Sequence, residues 1–422
     1  MTDVLVIGGG VAGLFAAMGA AEQGHTVAVL ERGRKPLKKL GVTGNGRGNL
    51  LNLAGLDYHG DEDFAREVFR HLSPKEVARL WESLGVPLIQ EEEGRMYPSS
   101  LLAASAVEAL MLRAKQLPIT FHTAFQAKGI TRTADGFRVE GLRTLYAPDT
   151  LRKSGKAKPG AALGQEPLSF EGRRVIVAAG GAASPMHLTD GSAYGLLTDF
   201  GHRLITPRPA LCALLTETGP IAGLEGQRVR AMLTLTSEKG EAIAQSSGEA
   251  LFAQDGISGI AAMQLSRFAQ KGCILRMNLS PAVTGRLLTQ MEAADWLRQR
   301  MQSRAGLPAS QLLVGAATPA LSAALMKACA GSLTAESLSH ALCGFSLKVL
   351  STRGFEAAQV TAGGIAPADF DPSTMESRLC PGLYAAGEVL DVDGACGGYN
   401  LMFAAATGYL AGRSTHLSPN ML

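Results

Sequence analysis

A glycine-rich turn near the N-terminus constrains the fold of this chain more than any other segment. Residues 3–7 form an apolar run typical of a buried parallel strand, and Gly8-Gly9-Gly10-Val11-Ala12-Gly13 follows with the spacing G-x-G-x-x-G. An apolar helix over 11–23 and a second strand over 26–30 complete a βαβ unit, which an acid, Glu31, follows. This context favours a dinucleotide-binding turn over a purely structural one.

Each part of this unit has a predicted role in holding a dinucleotide. Gly8 permits the tight turn, Gly10 lets the pyrophosphate approach the backbone, and Gly13 lets the helix lie close to the strand. The start of the helix offers free N–H groups and its positive end to the phosphates. Glu31 is predicted to accept hydrogen bonds from an adenosine ribose.

A second glycine-dense segment follows, Thr43-Gly44-Asn45-Gly46-Arg47-Gly48-Asn49. Such a loop lets the backbone come close to a flat or charged ligand. Two interpretations stand, a solvent-exposed loop and a loop in contact with the cofactor, and the density of glycine and asparagine favours the second. Arg47 would then neutralise the pyrophosphate or a reduced flavin.

The rest of the chain predicts one domain interrupted by an insertion. Strands that run into glycines occur before residue 200, as in the segment VIVAAGG over 175–181, and again after Phe355. Between them, 206–277 has the pattern of short strands with turns and 284–342 is mostly helical. We therefore predict an α/β fold with a Rossmann-like domain formed by 1–200 and 351–422 and an inserted domain at 201–350.

Several other segments carry local predictions. Ser73-Pro74-Lys75-Glu76 is a capping box that starts a helix ending at Gly85, and 101–116 has helical spacing. Residues 120–130 and 137–145 are predicted strands. The segment 148–167 is poor in large apolar residues, which predicts an exposed, mobile loop.

Two glycine-rich segments near the C-terminus complete the predicted site. Gly382-Leu383-Tyr384-Ala385-Ala386-Gly387-Glu388 ends a strand, and Gly394-Ala395-Cys396-Gly397-Gly398-Tyr399-Asn400 precedes an apolar helix over 401–410. Glu388 is predicted to bond a ribityl hydroxyl. The helix that begins near Asn400 is predicted to aim its positive end at the N1/C2=O edge of a flavin.

Together these segments resemble the BaiN-like family of bacterial FAD-dependent oxidoreductases, which includes aminoacetone oxidases and dehydro-bile-acid reductases. The resemblance covers nearly the whole chain and rests on GGGVAG, TGNGRGN, GRMYPSS, TDGSAYGL, DGISG, TMESR, GLYAAGEVLDVDG and GGYNL. It implies that the insertion has a β-barrel-like part and a small helical part. It also implies FAD contacts at Glu31, Arg32, Asn45, Arg47, Asn49, Gly387, Glu388, Asn400 and Leu401. We add Gly46, Ala127, Ala179, Gly180 and Gly398 as predicted cofactor contacts.

The chain departs from this family at a few positions. Family members often have Cys where Gly48 stands, Thr-His where Ala253-Gln254 stand, and Pro at Ile260. A catalytic thiol or imidazole at these positions is therefore not available here, and the substrate stays open.

The predicted function is hydride transfer between a small organic molecule and N5 of a non-covalently bound FAD. Candidate catalytic residues are Arg47, Tyr97 and Asp391. Tyr97 either faces the substrate or packs, whereas Asp391 is favoured to hold its loop rather than to transfer protons. The substrate is expected between the FAD domain and the insertion.

Two other functions remain possible at this point. A nicotinamide-dependent dehydrogenase would leave GLYAAGE and GGYN unexplained, and a non-enzymatic flavin-binding redox sensor would show no turnover. The sequence has no second G-x-G-x-x-G, so NAD(P)H is expected at most to dock transiently.

Composition excludes some partners. The net charge of +3 is small and dispersed, so neither nucleic acid nor an anionic membrane surface is expected as a partner. The uncharged stretch 4–21 is interrupted by three glycines and is predicted to be strand, turn and helix rather than a membrane span. We therefore expect a cytoplasmic protein whose cysteines are free thiols. We expect no metal site.

Overall fold

The computed structural model describes residues 1–151, 157–329 and 331–415. The chain divides into two compact units, one formed by Met1–Pro207 with Val360–Leu422 and one formed by Arg208–Gln359. We call them the split unit and the inserted unit.

The helices and strands of the described residues follow the chain in this order. The helices are α1 (Val11–Glu22), α2 (Glu62–His71), α3 (Pro74–Ser83), α4 (Ala103–Lys115), α5 (Gly195–Thr198), α6 (Ile260–Leu265), α7 (Ser280–Thr284), α8 (Gln290–Ser303), α9 (Pro319–Ala328), α10 (Ala335–Cys343) and α11 (Tyr399–Arg413). The strands are β1 (Thr2–Ile7), β2 (Val27–Leu30), β3 (Leu51–Asn52), β4 (Tyr58–Gly60), β5 (Leu88–Gln90), β6 (Arg95–Pro98), β7 (Ile119–His122), β8 (Phe125–Thr133), β9 (Gly136–Tyr146), β10 (Thr150–Leu151), β11 (Ala157–Lys158), β12 (Ala162–Val177), β13 (Leu204–Ala210), β14 (Leu214–Thr216), β15 (Arg228–Thr236), β16 (Ala242–Ala253), β17 (Gly256–Ser258), β18 (Ile274–Asn278), β19 (Phe345–Thr352), β20 (Val360–Ile365), β21 (Leu383–Ala385) and β22 (Val392–Gly394).

The split unit is built on a sheet with the order β7-β2-β1-β12-β9-β8, in which β21 also pairs with β12. Strands β7, β2, β1 and β21 are joined to their neighbours in parallel pairs, as βαβ connections require. The central strands are buried on both faces, which explains their continuous apolar sequence. The α/β fold class with a split Rossmann-like domain is thereby confirmed.

The C-terminal helix closes the split unit by packing against the N-terminal one. Glycines make this contact close: a Cβ added at Gly408 would lie 2.2 Å from the Ala12 carbonyl oxygen, and one at Gly412 would lie 2.1 Å from that of Ala16. The two helices therefore meet backbone to backbone over successive turns.

Two sequence predictions are wrong in the split unit. The predicted mobile loop at 148–167 is wrong for 150–151 and 157–158, which pair as β10 and β11. It is also wrong for 162–167, because these residues belong to β12 and pair in antiparallel register with β9, Ala162 opposite Tyr146. They are largely exposed, so the backbone ladder rather than apolar burial holds them. Residues 152–156 of that segment lie outside the described residues.

The predicted strand at 120–130 is two strands. Ala124 has a left-handed backbone (φ +60°) and separates β7, which pairs with β2, from β8, which pairs with β9. The capping box at Ser73, in contrast, is present with both of its hydrogen bonds, and α3 begins at Pro74 as predicted.

The inserted unit contains the closed barrel β14-β17-β16-β15-β18-β19 and the helices α8, α9 and α10. Alternate residues of β15 and β18 point into the barrel and are buried, such as Leu233, Leu235, Leu275 and Met277. The implied barrel-like and helical parts are confirmed, although β16 is longer than the short strands predicted here.

Over the described part of the chain, we find no helix with both the length and the apolar character needed to cross a membrane. The uncharged stretch near the N-terminus is a strand, a turn and a helix, as its glycines predict.

Candidate functional site

The first turn of α1 has room for a ligand at one glycine. Gly10 precedes the helix in an extended conformation (φ −81°, ψ −169°) without a side-chain cap, and Leu14 N–H makes the first bond back to the Gly10 carbonyl. The N–H groups of the residues between them have no acceptor within the helix. A Cβ added at Gly10 would have no heavy atom within 4 Å. The helix end is therefore open towards solvent, as an anion site requires.

The other two glycines of the motif are crowded. A Cβ at Gly13 would lie 1.9 Å from the Gly8 carbonyl oxygen, so the helix can lie against the turn only without a side chain. Gly8 has φ +106°, and a Cβ there would lie 2.4 Å from the Ala178 carbonyl oxygen. Gly8 and Gly13 are thus needed for packing, whereas the packing of the chain does not itself require glycine at position 10.

The Glu31 side chain links the glycine turn that follows β1 to the loop that follows β2. Its Oε2 accepts from Gly9 N–H at 2.6 Å and its Oε1 from Gly33 N–H at 2.5 Å. Burial raises the pKa of the Glu31 carboxyl, and the two backbone donors oppose that rise. The carboxylate lies next to the glycine turn, where ribose recognition places an acid. The neighbouring Arg32 forms an ion pair with Asp190 at 2.7 Å.

The second glycine loop has a strongly turned backbone. Gly44 and Asn45 both adopt left-handed conformations (φ 56° and 55°), and Gly46 has φ 85°. Arg47 pairs with Glu91, and its guanidinium carbon lies 4.5 Å from the centre of the Tyr97 ring. The structure thus brings together two of the candidate catalytic residues, Arg47 and Tyr97, at this loop.

The local geometry at Gly48 favours glycine. Gly48 has φ +76°, and a Cβ there would lie 2.9 Å from the Cα atom of Ala103 at the start of α4. In this chain a cysteine at that position would clash with α4.

Asn49 provides an unsatisfied polar atom beside the loop before α11. Its Oδ1 is buried and accepts no hydrogen bond from the described residues. A Cβ at Gly398 would lie 2.7 Å from this oxygen and 2.6 Å from the Leu51 carbonyl. The second glycine loop and the GGYN segment, far apart in sequence, therefore meet here, and a buried acceptor lies at their contact.

The GLYAAGE segment reaches the first turn of α1. A Cβ at Gly387 would lie 2.8 Å from the Ala12 Cβ, and the Gly387 N–H donates to Thr407 Oγ1 at 3.0 Å. The next residue, Glu388, accepts from Thr361 N–H and Oγ1, both at 3.0 Å, and pairs with Lys39 at 2.8 Å. Glu388 is thus fixed next to the glycine motif.

The side chain of Asn400 has a structural partner. Its Oδ1 accepts from Gly394 N–H and its Nδ2 donates to the Gly394 carbonyl, both at 2.8 Å. The amide thus closes the loop from 394 to 400, and the groups left for a ligand are the N–H groups of the first turn of α11, where the half-buried Leu401 lies.

The remaining predicted contacts lie in two separate places. Ala179 and Gly180 follow β12, and the Ala179 Cα would lie 2.8 Å from a Cβ at Gly8. Ala127 is half-buried in β8, two residues after Phe125, whose N–H donates to the Glu31 carbonyl at 2.9 Å.

Asp391 holds a loop, as the favoured interpretation expects. Its Oδ1 accepts from Gly363 N–H at 3.0 Å, and burial raises the pKa of its carboxyl. Its backbone carbonyl accepts from Asp61 N–H.

Sequence reasoning missed three residues around Glu388, namely Lys39, Thr361 and Tyr194. Burial, followed by the charge of Glu388, raises the pKa of the Tyr194 phenol. Lys39 and Thr361 belong to none of the motifs, so no local signal marks them, whereas Tyr194 lies within TDGSAYGL, a motif to which we assigned no role.

These features fit FAD. The open helix end of α1 suits the diphosphate, and the acid after the second strand suits the ribose. The two glycine loops that meet at the buried Oδ1 of Asn49 suit the flavin.

Comparison with known proteins gives the same result. The family model described as "HI0933-like protein Rossmann domain" matches residues 2–414. The 3-dehydro-bile acid delta(4,6)-reductase of Clostridium scindens is 33% identical over 99% of this chain and 100% of that protein. The ribosomal RNA dihydrouridine synthase of Escherichia coli K12 is 24% identical over 95% of each chain. Among solved structures, a 3-ketosteroid-delta4-(5alpha)-dehydrogenase from Rhodococcus jostii RHA1 is 18% identical with a TM-score of 0.48, over 98% of this chain and 96% of that one.

The matches to the family model and to the reductase extend over almost the whole chain. The chain therefore belongs to the HI0933-like Rossmann family, and it is an FAD-dependent oxidoreductase of the BaiN-like type.

Proposed function

We propose that this protein reduces a carbon–carbon double bond conjugated to a carbonyl group in a small organic molecule. The observation that carries the proposal is the 33% identity to a 3-dehydro-bile acid delta(4,6)-reductase over nearly the full length of both chains. In the substrate class of that name, the ring double bonds are conjugated to the 3-oxo group.

The ribosomal RNA dihydrouridine synthase supports the same reaction class. Forming dihydrouridine saturates the uracil double bond that is conjugated to a ring carbonyl, so both relatives reduce an electron-poor alkene. Its identity to this chain is lower, at 24%. We therefore place a small carbocyclic enone first and uridine in RNA second.

The proposal assigns the cofactor to the residues of the glycine motifs. Bound FAD, once reduced, supplies the hydride. The start of α1 after Gly10 would hold the diphosphate, Glu31 the ribose, and Asn49 with the first turn of α11 the flavin end. NAD(P)H is the proposed electron donor, docking transiently because the sequence has no second dinucleotide motif.

Saturation of the double bond also needs a proton at the carbon next to the carbonyl group, and we assign this proton to the Tyr97 hydroxyl. Burial raises the pKa of the phenol, while Arg95 and Arg47 act in the opposite direction. The phenol is thus protonated at neutral pH and able to donate. Its ring lies beside the second glycine loop, since a Cβ at Gly44 would be 3.8 Å from Tyr97 Cε1.

Anaerobic single-turnover measurements test the proposal. The purified, FAD-loaded protein is reduced with dithionite and mixed with a 3-oxo-4-ene steroid, and flavin reoxidation is followed at about 450 nm. We expect rapid reoxidation and a product heavier by two hydrogen atoms. The saturated 3-oxo steroid is the control and should leave the flavin reduced.

A second arm separates the two substrate classes. Unmodified ribosomal RNA replaces the steroid, and dihydrouridine is measured by mass spectrometry of the digested RNA. If RNA reoxidises the flavin and the steroid does not, the substrate is uridine in RNA rather than a small carbocyclic enone. Failure of every conjugated carbonyl compound and of RNA would refute the proposed reaction class.

A further inference from the structure

The inserted unit contains a cavity of about 1260 Å³ that shares no residue with the candidate FAD site. It lies between the outer face of β15, β18 and β19 and the helices α8, α9 and α10. Pockets for cofactors and drug-sized molecules typically measure about 300–1000 Å³. The space is therefore large enough for a ligand of that size.

Much of the cavity wall is apolar. Leu287 at its rim is 52% exposed, although contact of a leucine side chain with water is unfavourable. The apolar side chains that line the cavity include Met232, Leu287, Ala324, Ala328, Ala341 and Phe345. A ligand with an apolar body would cover this surface.

Two cations face the same space without a carboxylate partner. Arg276 on β18 and Lys327 near the end of α9 both line the cavity and are exposed. Among the residues that the structure describes, neither Arg276 nor Lys327 forms an ion pair. Lys327 Nζ makes one long contact, of 3.4 Å, to the Gly219 carbonyl oxygen. His340 adds a polar edge, with its Nε2 at 2.7 Å from Gln290 Nε2.

The one carboxylate among the lining residues is already engaged. Glu292 Oε2 accepts from Thr289 N–H at 2.7 Å and from Thr289 Oγ1 at 2.8 Å, which completes the capping box of α8. These hydrogen bonds lower the pKa of Glu292 and hold its charge at the helix end. Arg276 and Lys327 therefore remain free to bind an external anion.

We propose that this cavity binds a small organic anion with an apolar body, such as an aromatic or alicyclic carboxylate or sulfonate. Arg276 and Lys327 hold the charged group, and the apolar wall covers the rest of the molecule. The site is independent of the FAD motifs, and its occupation does not depend on the proposed reaction.

Paired fluorescent dyes test the proposal on the full chain loaded with FAD. Anilinonaphthalene sulfonate carries the anion, and phenylnaphthylamine has the same apolar body without it. We expect saturable binding of the sulfonate to one site. Arg276→Gln should weaken it about tenfold, since a hydrogen bond to a charged group contributes about 1.5 kcal/mol. The affinity for the neutral dye should stay the same.

Two further variants control the experiment. Arg230→Gln removes an exposed cation of β15 that does not line the cavity, and it should leave both affinities unchanged. Ala328→Trp fills the cavity from the end of α9 and should abolish binding of both dyes. Thermal melting verifies that each variant is folded. Unchanged sulfonate affinity in folded Arg276→Gln and Ala328→Trp would overturn the proposal, as would equal weakening of both dyes by Arg276→Gln.

Discussion

Replacing Gly10 by alanine separates the cofactor role of the glycine turn from its structural role. In the unliganded protein a Cβ at this position has no neighbour within 4 Å, and the backbone (φ −81°, ψ −169°) suits any residue. Gly10→Ala is therefore expected to fold normally. The same methyl group would occupy the space through which a diphosphate reaches the N–H groups at the start of α1.

The two effects have opposite signs and different sizes. An alanine in place of a compatible glycine stabilises a protein by about 0.4–1 kcal/mol, because the unfolded chain loses freedom. Loss of a hydrogen bond to a charged phosphate costs about 1.5–3 kcal/mol of binding free energy. We therefore expect FAD to bind roughly ten- to 150-fold more weakly while the unliganded protein melts at the same or a higher temperature.

The assay titrates FAD into protein stripped of cofactor, follows the quenching of flavin fluorescence, and melts the same samples without FAD. Gly164→Ala is a matched control, because it also lies in open space but in the exposed arm of β12. Gly13→Ala is the contrasting variant, since its Cβ would lie 1.9 Å from a carbonyl oxygen and should prevent folding of the turn. If Gly10→Ala binds FAD as tightly as the parent, the diphosphate does not lie at this turn.

Three more perturbations test the site and the unit that carries it. Glu31→Ala should weaken FAD binding by about 1.5–3 kcal/mol and lower the melting temperature slightly, because the Gly9 and Gly33 N–H groups lose their acceptor; unchanged affinity in the folded variant would contradict the ribose assignment. Tyr97→Phe should slow substrate reduction about 100-fold or more in single-turnover assays while FAD affinity is unchanged, and an equal rate would exclude Tyr97 as proton donor. A chain ending at residue 350 should purify without FAD absorbance, because it lacks β21 and α11, whereas stoichiometric FAD in it would contradict a split site.

The N-terminal βαβ segment, β1-α1-β2, was predictable from sequence because the residues that determine it are close together in the chain. The glycine spacing, the apolar runs and the acid after β2 lie within the first 31 residues, and each acts on neighbouring backbone. The same applies to the capping box at Ser73, whose two hydrogen bonds span three residues. The split was predictable from the strands that run into glycines before residue 200 and again after Phe355. The barrel-like form of the insertion came only from the resemblance to a known family.

The details that the sequence did not show depend on distant partners. Nothing near Glu388 in sequence indicates its pairing with Lys39 and Thr361, because these residues come from separate segments. Similarly, the amide of Asn400 looked free for a ligand, whereas it bonds to both backbone groups of Gly394. The exposed part of β12 was missed because an antiparallel ladder needs no apolar alternation when both faces meet water.

Close packing between the two ends of the chain makes the FAD site depend on the last helix. The carbonyl oxygens of Ala12 and Ala16 in α1 would lie 2.2 Å and 2.1 Å from a Cβ at Gly408 and Gly412 of α11, so neither glycine of α11 tolerates a side chain. Until the C-terminal segment docks, this face of α1 exposes apolar surface to water, and Ala12 in its first turn lacks its contact with Gly387. The glycine motif can therefore be read from the first residues, but the helix end that we propose for the diphosphate is fully packed only once the C-terminal segment has returned to the sheet. Cofactor binding should consequently be acquired late in folding, together with the pairing of β21 to β12.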